Sequence, residues 1–277
     1  MSIKRNLLTQ SIISLIFAAS LSAATVDGIN IHWSTSGQGR KTVILVHGWT
    51  CDETTWQSQV PELAKHYRVI TLDLPGHGQS GSPKDGKLSM ELFARAIEAV
   101  RSEAEVDRAV LAGHSMGTPV IVQYARLYPQ HTAALVFVDG SAPSKLPAFP
   151  KGDQSFTDRF KGPEGLKARE AMIRGMFSSA TTPELQKKIL SMMLGTPEAT
   201  AIGAMEAFGD ASIYKDDVFD IPVLGLYADK PEPTERDMKP RFPKLELHKI
   251  QGTGHFLMME KPEEFNRLLN TFLDRLE

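Results

Sequence analysis

Arg108-Ala109-Val110-Leu111-Ala112-Gly113-His114-Ser115-Met116-Gly117-Thr118-Pro119-Val120-Ile121-Val122-Gln123-Tyr124-Ala125-Arg126 changes from one kind of secondary structure to another around a single serine. The apolar run 108–112 has the pattern of a buried parallel strand, and the residues from Thr118 onward open a helix. Between them stands Gly-x-Ser-x-Gly. A serine in that pattern occupies a strand-to-helix turn too tight for side chains two residues to either side, so Gly113 and Gly117 keep only hydrogens there. The turn lifts the Ser115 hydroxyl clear of the sheet and leaves the Met116 N–H at the start of the helix. Ordinary glycine-rich turns carry the same pattern. What separates the two is whether the chain also supplies a base, an acid and a second backbone donor in the right order.

Outward from this turn the chain alternates apolar strands and amphipathic helices. Upstream, 42–46 is fully apolar and ends at His47-Gly48-Trp49, and 56–64 reads as a short helix. The strand 68–74 closes on Pro75-Gly76-His77-Gly78-Gln79-Ser80, and 90–103 carries apolar residues at helical spacing. Alternation over 26–33 predicts an N-terminal hairpin at an antiparallel edge. Downstream, 133–138 is a strand ending at Asp139-Gly140. The rhythm then stops: residues 141–220 read as helices only, over 166–177, 183–194 and 197–208. This stretch is rich in Met (172, 176, 192, 193, 205) and Phe (149, 156, 160, 177, 208). Strands resume at 221–227 and 245–250, the last running into Gly252-Thr253-Gly254-His255-Phe256, and a closing helix starts at Pro262. Alternation of this kind calls for a mostly parallel sheet covered on both faces, with its chemistry at the carboxyl ends of the strands. His47, Asp73, Ser115, Asp139, Asp229 and His255 all fall at or just past such ends.

The 277 residues can bury one large core. Net charge is −2 with no basic tract, which argues against nucleic acid as a partner. No metal-ligand cluster or phosphate loop stands out, so no cofactor or metal is expected. Residues 1–24 have the form of a secretory signal peptide: Lys4 and Arg5, an apolar stretch over 7–21, then small residues at 22–24. The apolar stretch is short for a membrane span. The expectation is export to the periplasm or beyond, with no membrane attachment after cleavage. Loss of Lys4 and Arg5 takes the basic count from 31 to 29 against 33 acidic residues, a mature charge of about −4. The single cysteine, Cys51, excludes an intramolecular disulfide and reads as a half-buried apolar group.

The motifs His47-Gly48-Trp49, Asp73-Leu74-Pro75-Gly76-His77-Gly78, Gly113-His114-Ser115-Met116-Gly117 and Gly254-His255-Phe256, in that order, make residues 25–277 resemble an α/β-hydrolase. The subgroup is the capped, esterase-like one. The resemblance implies an α/β fold, with a core of 25–140 and 221–277 and a helical cap, 141–220, between strands six and seven. It implies Ser115 as nucleophile and His255 as base, with the N–H groups of Trp49 and Met116 forming the oxyanion hole. For the acid it leaves two candidates. Asp229 stands about two residues early, with Pro231 near the usual position beyond strand seven; Asp139 ends strand six, a site that some capped relatives use. Both could face the His255 ring nitrogen remote from Ser115, and the reading is nearly even with a lean to Asp229. Asp73 is expected to brace its turn, Glu232, Glu235 and Asp237 to be solvated, and His114 to point away from the substrate. The implied activity is hydrolysis of a small or medium carboxylic ester, lactone, thioester or amide with an apolar group under the cap, through a Ser acyl-enzyme. The alternatives are a C–C bond hydrolase or lyase, or a cofactor-free perhydrolase, on the same triad. From another class comes a ligand-binding homologue without turnover, against which the intact Ser, His and donors argue.

Overall fold

A computed structural model of the chain describes residues 22–140, 154–230 and 233–276. Eight strands form one sheet in the order β1 (Ser22–Val26), β2 (Ile29–Ser36), β4 (Arg68–Leu72), β3 (Thr42–Val46), β5 (Ala109–His114), β6 (Thr132–Val138), β7 (Val223–Ala228), β8 (Leu245–Ile250). The β1–β2 hairpin is antiparallel and pairs antiparallel with β4, and every other pairing is parallel. Residues 22–24 therefore belong to the sheet, three residues earlier than the expected core boundary, and Ala24 is buried. Residues 1–21, the rest of the expected signal peptide, lie outside the described residues.

The central strands β3, β5 and β7 are buried at every position, which is why they read as unbroken apolar runs rather than alternations. Two helices, α2 (Met90–Glu103) and α3 (Gly117–Leu127), pack on each other, α3 against β5 and β6 and α2 against β1 and β2. Ser89 caps α2 by accepting from the Leu92 N–H. The other face is covered by α1 (Val60–Leu63) and the closing α10 (Pro262–Arg275). The latter buries Phe265, Leu269, Phe272 and Leu273 at i, i+4, i+7 and i+8. Each such side chain contributes about 1.5–3 kcal/mol of burial. Trp56, fully buried, meets Phe265 with ring centroids 6.4 Å apart.

Between β6 and β7 come α4 (Gln154–Asp158), α5 (Gly162–Arg174), α6 (Pro183–Gly195) and α7 (Glu198–Gly209). They occupy the described part of the expected cap; residues 141–153, Phe149 among them, lie outside it. Phe160, Met193 and Met205 are buried in the packing, and Met172, Met176, Phe177 and Met192 pack half-buried against it. Two short helices follow, α8 (Glu235–Met238) and α9 (Leu257–Glu260), the second starting two residues after His255. Because β3 has β4 on one side and β5 on the other, successive connections leave in opposite directions, opening a crevice at the carboxyl ends of β3 and β5.

Candidate active site

The register of the sheet brings the site together. Val46 pairs with Gly113, so the His47-Gly48-Trp49 loop leaves β3 beside the turn that leaves β5. A Cβ on Gly48 would stand 3.0 Å from the Ser115 Cβ, a measure of how closely the two loops approach. On the other side the Ser115 N–H donates to the Val138 carbonyl at 2.9 Å, placing the serine next to Asp139.

The turn itself is strained. Ser115 has φ +53, a left-handed conformation that costs a non-glycine residue about 1–3 kcal/mol and persists only where packing enforces it. Five non-glycine residues share positive φ among the described ones, and three of them, Thr50, Ser115 and Asp139, lie in these adjacent loops. The two glycines meet different obstacles. A Cβ at Gly113 would fall 2.3 Å from the Gly117 carbonyl oxygen, and one at Gly117 would fall 2.7 Å from the Val46 carbonyl oxygen on β3. Among the described residues no hydrogen bond engages the Ser115 hydroxyl, which stays half-buried. The backbone N–H groups of Trp49 and Met116 likewise donate to no backbone carbonyl there. Both are free to meet a developing oxyanion. Their loop is pinned from the cap: the Trp49 indole Nε1–H donates to the Ala201 carbonyl at 2.7 Å, and the Thr196 hydroxyl donates to the Thr50 carbonyl at 2.9 Å.

His255 follows β8, and its Nδ1 lies 2.6 Å from Asp139 Oδ2. Asp139 Oδ1 accepts the Ala228 N–H at 3.0 Å, and Lys230 Nζ stands 3.5 Å from Oδ2. Burial alone would push the Asp139 carboxyl up; the His255 hydrogen bond and charge, Lys230 and the Ala228 amide outweigh it and hold the carboxyl well below the usual range. Asp229 is exposed, and its Oδ1 accepts from Gln251 Nε2 at 3.2 Å, away from His255. The lean to Asp229 is thus corrected in geometry: of the two candidate acids, Asp139 is the one brought to the His255 ring. Its φ of +42 swings the side chain across the end of β7, whereas the backbone after Ala228 carries Asp229 outward into solvent. Pro231 and Glu232 lie outside the described residues.

Neighbouring groups fall into bracing roles. Asp73 accepts the Glu53 and Gln79 N–H groups, each at 2.8 Å, and so holds its turn. His47 takes the Leu74 N–H on Nε2 at 3.0 Å and meets the Gly48 carbonyl through Nδ1 at 2.8 Å, which makes Nδ1 the protonated nitrogen. His114 does not simply point away. Its buried ring lies with its centroid 4.8 Å from that of His255, and its Nε2 donates to the His255 carbonyl at 2.9 Å. Burial, with the His255 charge beside it, pushes the His114 imidazole down to about 3, so it faces the base as a neutral ring. Cys51 is fully buried rather than half-buried, and burial pushes its thiol up to about 12, which leaves it without nucleophilic character. Among the described residues no group of three or more His, Cys, Asp or Glu could hold a metal ion.

The sequence offered no signal for Lys230 beside Asp139, because the two meet only across the ends of neighbouring strands. Glu260 was equally hidden, five residues beyond His255 on α9. Its carboxylate accepts from the Gly254 N–H and from the Thr181 hydroxyl.

Comparison with known proteins agrees with this fold. The alpha/beta hydrolase fold family matches residues 41–262. The chain is 28% identical over 262 residues to the AB hydrolase superfamily protein YisY of Bacillus subtilis, covering 90% of this chain and 97% of that one. It is 26% identical over 264 residues to a 2-hydroxy-6-oxononadienedioate/2-hydroxy-6-oxononatrienedioate hydrolase of Burkholderia vietnamiensis, covering 89% and 92%. Among solved structures it resembles a thermophilic esterase of Thermogutta terrifontis, with TM-score 0.83, 27% identity, and coverage of 93% of this chain and 99% of that one.

Proposed function

The chain belongs to the alpha/beta hydrolase fold family, and from that premise we propose that it is an exported serine hydrolase cleaving a small or medium carboxylic ester through an acyl-enzyme on Ser115. A lactone, thioester or amide would enter by the same first step. The observation that carries the reading is the 2.6 Å contact of Asp139 with His255 Nδ1 at the strand ends where the strained Ser115 also stands. The likeness to the Thermogutta esterase supports the ester class.

With Nδ1 committed to Asp139, His255 Nε2 is the nitrogen that takes the Ser115 proton as the hydroxyl oxygen bonds the substrate carbonyl carbon. The carbonyl electron pair moves onto its oxygen, which the Trp49 and Met116 N–H groups receive. Loss of one such donor costs about 3 kcal/mol. As the tetrahedral intermediate collapses, the C–O bond to the leaving group breaks and His255 hands its proton to the departing alkoxide. Water then repeats the sequence on the acyl-enzyme, releasing the acid and restoring Ser115. The half-buried Met172, Met176 and Phe177 of the cap give an apolar, adaptable surface suited to the acyl or alcohol group.

Fluorophosphonate labelling and a p-nitrophenyl ester series of increasing acyl length test the reading. Wild type should label and hydrolyse, and Ser115→Ala and His255→Ala should do neither. Labelling that persisted unchanged in Ser115→Ala would refute it. The likeness to the dienedioate hydrolase favours, second, hydrolysis of a C–C bond next to a carbonyl. That reading takes over if the esters are inert while a vinylogous 1,5-diketone is cleaved. Export rests on the composition of residues 1–24. Fractionation of a bacterial host expressing the full chain should find the protein outside the cytoplasm without Lys4 and Arg5; an intact N-terminus in the cytoplasm would sink it.

A further inference from the structure

The peptide that carries His255 is held on both sides. Its N–H donates to the Met176 carbonyl of the cap at 3.1 Å, and its C=O accepts from His114 Nε2 at 2.9 Å. One residue earlier the Gly254 N–H donates to Glu260 Oε2, and the other oxygen of that carboxylate accepts from the Thr181 hydroxyl. Thr181, itself buried, also accepts the Ser178 N–H at 2.8 Å, which closes the cap turn 176–181 on itself. The contact is too close for a side chain: a Cβ on Gly254 would lie 2.8 Å from the Met176 carbonyl oxygen and 3.1 Å from the Ser178 nitrogen. The base loop and the cap turn therefore meet backbone to backbone, and Glu260 grips one with each oxygen.

We propose that Glu260 and Thr181 are positioning residues that lock the His255 loop to the cap turn 176–181, so that the seating of the cap sets where the base stands. Neither touches substrate or the reacting atoms. A carboxylate that accepts from both sides acts as a rigid spacer, since lifting the turn strips an acceptor from Thr181 and loosens the anchor of Gly254. A general base tolerates displacement of only a fraction of an ångström, so a small shift of this turn registers in turnover. Met176 and Phe177, which pack half-buried at the start of the same turn, give a bound apolar group a lever on the base.

The experiment compares wild type, Thr181→Val, Glu260→Gln, Glu260→Ala and the Thr181→Val/Glu260→Ala double variant. It reads kcat and KM on p-nitrophenyl acetate, the rate of fluorophosphonate labelling, Tm, and amide exchange of 254–256. Misplacement of about 1 Å can cost about 100-fold, so Glu260→Ala should lose about 30- to 100-fold in kcat and Thr181→Val about 5- to 20-fold. KM should change by less than about threefold, because the interaction acts on the base and not on substrate binding. The double variant should be no worse than Glu260→Ala alone, since the two side chains serve one contact. Glu260→Gln, which keeps an acceptor for Gly254, should recover most of the activity. Exchange at 254–256 should quicken in Thr181→Val at a temperature far below its Tm. A lowered Tm with unchanged kcat and labelling rate would show a merely structural contact and overturn the proposal, as would strictly additive effects. The activity arms rest on the serine-hydrolase reading. A wild type that neither hydrolyses nor labels would refute that reading, and unchanged exchange in Thr181→Val would separately refute the lock.

Discussion

At the scale of single residues, the two candidate acids differ in what their surroundings ask of them. Asp139 is held by a backbone amide and an imidazole, with a lysine nearby, and its carboxylate is ionised far below neutral pH. Asp229 meets a glutamine side chain in solvent. Asp139→Asn preserves shape while removing the charge that fixes the His255 tautomer and stabilises imidazolium. It should lower kcat by about 10⁴-fold, with Tm changed far less in proportion. Asp229→Asn should retain wild-type kcat within about twofold, as surface substitutions usually do. Steady-state kinetics on a p-nitrophenyl ester decides it, and the opposite ranking would return Asp229 to the site. Gly48 offers a second residue-scale test. A methyl there would press within 3.0 Å of His114 Nδ1 and the Ser115 Cβ, so Gly48→Ala should lower kcat by about tenfold or more by crowding the nucleophile.

At the scale of elements, the closing helix shows why the sheet end that carries His255 stays in place. α10 follows α9 after a single residue, and Phe265 packs its ring against Trp56 on the loop after β3. The helix thereby ties the His255 side of the candidate site to the segment that follows Trp49. Phe265→Ala deletes a fully buried aromatic that its neighbours cannot refill, and should cost about 3–5 kcal/mol in urea unfolding. A loss below about 1 kcal/mol would mean that the helix is not part of the cooperative core. The cap helices are seated differently. Besides the apolar packing of Phe160, Met193 and Met205, they meet the core through directed hydrogen bonds beside the candidate site, among them Trp49 to Ala201, Thr196 to Thr50, His255 to Met176 and Thr181 to Glu260.

At the scale of the whole molecule, three histidines are sealed in the core around the site, and their protonation should set stability in acid. Burial pushes His77 and His114 down to about 3, and burial lowers His47 against the opposing pull of Asp73. A group whose folded value is depressed contributes stability that is complete above its unfolded value, here 6.5, and is lost as pH falls from there towards the folded value. Stability should therefore fall between about pH 6.5 and pH 4, by roughly 1 kcal/mol per pH unit for each of His77 and His114, with His47 adding in the same direction. Asp139, also depressed, adds its loss only below about pH 4. Tm measured from pH 7.5 to 4.5 should hold down to about pH 6.5 and then drop, with a shallower slope in His114→Gln. A flat profile over that range would sink the idea.

The sequence by itself determined the strands, the helices and the order of the motifs, because periodicity and tight-turn chemistry are local. α2 occupies Met90–Glu103 as its apolar spacing predicts, and β3 and β8 occupy Thr42–Val46 and Leu245–Ile250. The serine turn is legible for the same reason: Gly113 and Gly117 answer to steric limits set within a few residues. Which carboxylate reaches His255 is not a local property. Asp139 and Asp229 both follow buried strands, and only the φ of +42 at Asp139 and the order of strands in the sheet aim one at the imidazole and the other at water. The grip of Glu260 on Gly254 and Thr181, and the neutral His114 ring against the base, likewise join segments up to 141 residues apart in the chain. Such contacts form through packing across the carboxyl ends of the sheet, where tertiary structure alone chooses the neighbours.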